Sequence, residues 1–417
     1  MNPSEPFEHR HVLDRRGREL GAVLEIVAPH LSSIGGLLAG MPVAVKANIA
    51  VSGQAWSAGI DARRDIVADH DAPVVQALRD AGADIVAILN MAEAALGATT
   101  NNEVFGIGRN PHDPSRTCGG SSGGSGAVVG GGLVPMALGT DTMGSVRVPA
   151  SYCGCVGFKP SNGLVPLEGV VPLATLLDCV GPLAVSVAVA VSAMRVICAP
   201  TAGGPWSGRP RTLDWDMPAS LPRRLIVPTE VLTHDLEPDV DTAFEHVVDL
   251  LRANGTDIVE WPLGLDLGLL RRRGLLLCEA EAAAFHADLL AANPEQFSSL
   301  LRSMLSFGAS KSAVDLARAL ADLQSMGTQI GRVLVEAQAD GFLTPTTPQV
   351  AFALDAPVPA DQADFTAFAN VAGLPAVSLP AGRDRHGMPI GVQIIGNRLA
   401  DDTLASHALA LEALLDR

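Results

Sequence analysis

The stretch that most constrains this chain is residues 118–160, CGGSSGGSGAVVGGGLVPMALGTDTMGSVRVPASYCGCVGFKP. Glycine and small hydroxyl residues are denser here than turns require, on both sides of the largely apolar run 127–138. Such a backbone is built to approach something closely. Glycine tolerates positive φ and leaves main-chain N–H groups uncovered, so the segment can aim donors at a ligand and hold serines beside it.

A residue far upstream points to the chemistry. Lys46 lies in the apolar segment MPVAVKANI, residues 41–49. Of 29 Lys plus Arg, lysine stands only at 46, 159 and 311, so arginine serves almost wherever a surface cation will do. A lysine kept among Val43, Val45 and Ile49 can lose its proton through desolvation and act as a base, whereas arginine stays protonated. A strand-buried amine with a glycine-cradled serine pair suggests a Ser/Lys hydrolase.

Lys46, then residues 119–125 (GGSSGGS) and 139–147 (GTDTMGSVR), resemble the amidase signature family of Ser-Ser-Lys amide hydrolases. The likeness extends through Asn110-Pro111, Pro149-Ala150, Cys153-Gly154 and 157–160 (GFKP), and returns at 343–345 (LTP), 370–376 (NVAGLPA) and 387–393 (GMPIGVQ). It implies an α/β amidase-signature fold, a large mixed, mostly parallel central sheet covered by helices on both faces. By position, Ser145 resembles the nucleophile, and Ser121, 24 residues earlier, the bridging serine at a non-proline cis peptide. Neutral Lys46 would be the base. The backbone N–H groups of Thr142, Met143, Gly144 and Ser145 would form the oxyanion hole, with Asp141 and Arg147 paired beneath the loop. Ala95, Ser122 and Met143 are implied substrate contacts, with Ala95 in a wall formed by residues 92–98. The resemblance implies no metal and no cofactor.

Met143 departs from the pattern, because the family usually has glycine there. If the site needs positive φ, methionine is strained; if not, its side chain narrows the acyl pocket. We favour the second reading.

Composition narrows the alternatives. With 48% hydrophobic and 18% charged residues among 417, the chain can bury a deep core. A formal charge of −16 without basic clusters argues against a nucleic-acid partner and against a membrane surface. The charged N-terminus lacks an apolar signal core, and the most apolar run, 183–199, contains Arg195 and reads as a buried helix, so the expected location is cytoplasmic. Six cysteines show no paired metal-ligand spacing and read as small buried thiols. His112 reads as a turn residue, Glu93 and Glu103 as solvated or capping carboxylates, and Asp178 as either a structural acid or a pocket residue.

Along the chain, Asp71-Ala72-Pro73 reads as an N-cap and first turn leading to a helix that Gly82 ends, followed by a buried strand at 85–89. This is a βαβ rhythm. Residues 20–27 suit a short strand or a helix equally. Residues 200–222 read as a surface loop, 224–227 and 257–261 as strands, and 239–254 as a helix. Periodic apolar residues over 269–290 and 313–338 suggest a helical cover whose inner face sets specificity. The expectation is one domain over 1–417, with a signature core at about 40–200, the cover at about 265–340, and a return to the sheet at 342–417 that ends in a helix over 401–415.

The favoured reading is hydrolysis of a carbon–nitrogen amide bond in a small neutral substrate through an acyl-enzyme. Carbamates and esters fit the same mechanism. A less favoured reading is an amidase-family subunit that delivers ammonia from glutamine to a charged tRNA; another is a degenerate, inactive amidase. A phosphate-cradling module is disfavoured, since no Gly-Lys-Ser/Thr follows the glycines. The expected partners are a small amide or carbamate, no nucleic acid and no membrane, with a homodimer left open.

Overall fold

Runs of Val, Ile, Leu and Ala without a polar face form the centre of the molecule. Strands Pro42–Lys46, Asp84–Leu89, Met136–Asp141 and Cys179–Ala184 are buried almost end to end, as strands covered on both faces must be. The computed structural model describes residues 5–29, 35–198 and 212–416. Among these, eleven strands form one sheet that takes segments from Val23–Ile26 near the start to Pro389–Gly396 near the end.

Four of its ten neighbouring pairs are parallel and six antiparallel, so the sheet is mixed, with fewer parallel pairs than expected. Parallel pairing needs a crossover. The helix Pro73–Asp80 supplies one between Pro42–Lys46 and Asp84–Leu89. Elsewhere, as between Ala376–Arg383 and Pro389–Gly396, the chain turns straight back. Strand Ala376–Arg383 also pairs with Val156–Lys159, which brings the C-terminal motifs beside the glycine-rich segment.

Several local expectations are refined. Asp71 does not cap the helix Pro73–Asp80; Ala72 is its N-cap. The Asp71 carboxylate instead accepts from the Ser52 amide and from Arg79 Nε, both at 2.8 Å. The apolar run at 183–199 divides into the end of strand Cys179–Ala184 and the helix Val187–Ile197, where Ser186 accepts from the Val189 amide. Residues 20–27 resolve as the strand Val23–Ile26. Of the loop expected at 200–222, residues 212–222 form no helix or strand, and 200–211 lie outside the described residues.

The cover consists of Leu267–Phe285, Ser299–Ala309 and Ala313–Glu336, with the first helix packed on the other two and on Asp364–Val371. Ser312 and Asp315 form a capping box at the start of the longest. The helical pattern at 269–290 breaks at His286. Among the described residues, no helix is long and apolar enough to cross a membrane.

Candidate active site

Lys46 is the last residue of its strand and fully buried. The neighbouring strand Met136–Asp141 runs parallel to it, with Val45 opposite Leu138, so Thr140 extends just past the lysine. Lys46 Nζ lies 2.7 Å from both Ser121 Oγ and Thr140 Oγ1. Burial drives the lysine pKa down to about 7, against the opposing pull of the Asp141 and Asp178 carboxylates. At neutral pH a substantial fraction is therefore a free amine. Lys159, equally buried, serves differently: its Nζ donates to Pro160 O at 2.7 Å and to Asn162 Oδ1 at 3.0 Å, away from the serines.

Ser121 follows a cis peptide bond, Gly120–Ser121, as the resemblance implied. A Cβ on Gly120 would sit 2.7 Å from Thr99 N, so only glycine lets these backbones meet. Ser122 has another use. Its Oγ donates to Thr140 O at 3.1 Å and accepts from Thr140 N at 3.3 Å, and the residue is fully buried. The implied substrate contact of Ser122 is thus corrected: its hydroxyl is committed to the backbone of strand Met136–Asp141.

Below the loop, Arg147 and Asp141 form a fully buried pair, Nε to Oδ2 and Nη2 to Oδ1, both 3.0 Å. Burial alone would raise the Asp141 pKa, but the guanidinium, helped by Lys159 and Asn370, holds it at about 2. Arg147 also donates to Asn370 Oδ1 at 2.6 Å and to Gln393 Oε1 at 2.9 Å. The pair therefore joins the glycine-rich segment to two C-terminal motifs. Opening such a pair on one side typically costs about 3–5 kcal/mol.

The loop itself is held at three points. Asp141 Oδ1 accepts from the Gly144 amide at 2.7 Å, Thr366 Oγ1 donates to Met143 O at 2.6 Å, and Thr142 Oγ1 donates to Asp178 Oδ1 at 2.5 Å. Gly144 has φ +130, and a Cβ there would lie 2.2 Å from Thr366 Oγ1. The four-donor oxyanion hole is corrected accordingly: the Gly144 N–H is already spent on Asp141. The amides of Thr142, Met143 and Ser145 meet no acceptor among the described residues. These three remain free to receive a developing oxyanion.

Ser145 is half-buried at the wall of a cavity of about 210 Å³, together with Thr142, Met143 and Gly144. Its carbonyl accepts from the Ser122 amide at 3.2 Å, which binds the two serine segments together. Ala95 also lines this cavity, and Ala94 and Ala95 both adopt positive φ, 54° and 57°. Met143 is not among the positive-φ residues, and its side chain lies over Gly274 of the helical cover. It narrows the cavity without backbone strain. Leu173, Leu275, Cys278 and Met304 complete a largely apolar lining, and Arg271 is its one cation among the described residues. Arg271 Nε already donates to Asp364 at 2.5 Å. No group of side chains fit to hold a metal occurs among the described residues.

Thr140, Thr366, Asn370 and Gln393 were not read as site residues. The last two stood in recognised motifs, yet only the closure of the sheet reveals that they serve Arg147.

A family model described as Amidase matches residues 26–405. A glutamyl-tRNA(Gln) amidotransferase subunit from Koribacter versatilis is 33% identical over 411 residues, covering 91% of this chain and 85% of that protein. The crystal structure of the same-named subunit from Thermotoga maritima superposes with a TM-score of 0.85 at 31% identity, covering 98% of this chain and 91% of that one. An inhibitor-bound vestigial protein complex, tied to the origins of an s-triazine catabolic enzyme, gives 0.87 at 28% identity over 97% and 93%. The first two names overturn the exclusion of nucleic acid made from charge. A net charge of −16 tests only whether a chain neutralises phosphates itself. A protein can serve a tRNA-directed reaction without doing so.

Proposed function

Because the chain belongs to the amidase signature family, as a hydrolase of Ser-Ser-Lys type, we propose that it releases ammonia from the carboxamide of glutamine, as the amidase component of an assembly that serves glutamyl-tRNA. The observation that carries this reading is likeness over nine-tenths of the chain to proteins of that name.

Neutral Lys46 takes the proton of Ser121 while Ser121 takes that of Ser145. Ser145 Oγ then bonds to the carboxamide carbon, and the oxyanion is met by the free amides of Thr142, Met143 and Ser145. The relay runs backward to protonate the leaving nitrogen, the C–N bond breaks, and ammonia departs from an acyl-enzyme. Water repeats the cycle, releasing the acid and restoring Ser145.

A second reading is hydrolysis of a neutral amide, carbamate or ester by the chain alone. It is favoured by the apolar cavity, whose cation is already paired with Asp364. Ammonia release from glutamine, measured with and without partner proteins and glutamyl-tRNA, separates the two readings. The first expects glutamine turnover that rises in the assembly and vanishes in Ser145→Ala. Turnover of aryl amides or carbamates with glutamine inert would establish the second instead.

A further inference from the structure

Asp178 is buried just before strand Cys179–Ala184 and bonds to two separate segments that line the cavity. Oδ1 accepts from Thr142 Oγ1 at 2.5 Å, at the head of the oxyanion loop. Oδ2 accepts from the amides of Leu173 at 2.9 Å and Ala174 at 3.1 Å, and Leu173 lines the same cavity. We infer that Asp178 is a positioning residue: its carboxylate ties the oxyanion loop to the Leu173 segment and places a negative charge on Thr142, two residues along the chain from the Thr140 hydroxyl that Lys46 contacts. The inference rests on the Ser145–Ser121–Lys46 reading above.

The two effects are separable. Burial raises the Asp178 pKa to about 6, and its bonds from Thr142, Leu173 and Ala174 oppose that rise and favour the carboxylate. The titratable groups whose charge couples to it are Lys46, Cys179, and, from the helix Leu267–Phe285, Cys278 and Glu281. Its negative charge favours protonated Lys46. Removing that charge therefore frees the amine at lower pH. Asparagine preserves the geometry, since its oxygen can accept from the two amides while its nitrogen donates to Thr142 Oγ1. Thr142→Val cuts the tether itself, and because it also removes the bond that most opposes the rise of the Asp178 pKa, its effect is read from the plateau and not from the limb.

The test is the rate of inactivation by phenylmethylsulfonyl fluoride as a function of pH, which reports nucleophile activation without any amide substrate. Asp178→Asn is expected to move the acid limb to lower pH with the plateau rate largely kept. Thr142→Val is expected to lower the plateau by about tenfold or more, as for a displaced oxyanion donor. An unshifted limb in Asp178→Asn would overturn the charge role, and an unchanged plateau in Thr142→Val the tether. Should Asp178→Asn fail to fold, Thr142→Val still decides the tether, and the limb of Asp178→Ser decides the charge. Continued sulfonylation of Ser145→Ala at the wild-type rate would instead refute the catalytic reading itself.

Discussion

Lys46→Met should abolish activity and yet make the protein more stable at neutral pH. The unfolded chain holds this amine at a pKa near 10.5 and the folded one at about 7. Between those values the unfolded state binds the extra proton. The cost to folding is thus greatest below pH 7, roughly 5 kcal/mol for the full difference, falls steadily above pH 7, and is gone above pH 10.5. At pH 7 about 4 kcal/mol of it persists. Methionine fills a similar volume without charge but loses the contacts to Ser121 and Thr140, worth roughly 1 kcal/mol each. The variant should gain about 2 kcal/mol at pH 7 and lose its advantage by about pH 10, where only the lost hydrogen bonds count. Urea unfolding followed by tryptophan fluorescence at both pH values reads this difference directly. A stability gap between variant and wild type that does not change with pH would refute the reasoning, because it would mean that burial does not discharge the lysine.

In wild type the acid limb of activity should centre near pH 7 and follow the Lys46 titration. Lys46→Arg should fold but lose more than about 10³ in kcat/KM, because a guanidinium is almost never neutral at that pH; a pH–rate profile of both proteins checks this. Ser121→Ala should remove activity at near-native stability, whereas Ser122→Ala should retain activity and lose about 1–2 kcal/mol, since Thr140 forfeits two hydrogen bonds; the reverse order of rates would reverse the two roles. Gly144→Ala faces both φ +130 and Thr366 Oγ1 at 2.2 Å, so Thr366→Ala should restore only part of its lost rate. Gly274→Ala brings a methyl within 3.0 Å of Met143 Sδ, a flexible neighbour, so KM should change while the unfolding midpoint holds.

The buried strands and most helices could be placed from hydrophobic pattern alone. The closing helix Asp401–Leu415 and strand Asp257–Trp261 lie where apolar spacing put them. Asp71 was misplaced as a cap because an Asp-x-Pro string does not reveal that Arg79 and the Ser52 amide compete for the carboxylate. The ratio of parallel to antiparallel pairs was misjudged for a similar reason: strand direction depends on which distant segments return to the sheet.

Residue type and the family resemblance pointed to a rare lysine, two serines and a glycine-rich turn as one chemistry, and composition to a chain apolar enough to bury them. Those properties follow from residue type and local geometry. Only the tertiary structure decided that Thr140 shares the amine with Ser121, that the Gly144 amide is already engaged, and that Arg147 is shared among Asp141, Asn370 and Gln393. Each of these is a competition among partners, some of them hundreds of residues apart, for a single donor or acceptor, and such competitions are settled by the packing of the sheet and not by sequence neighbours.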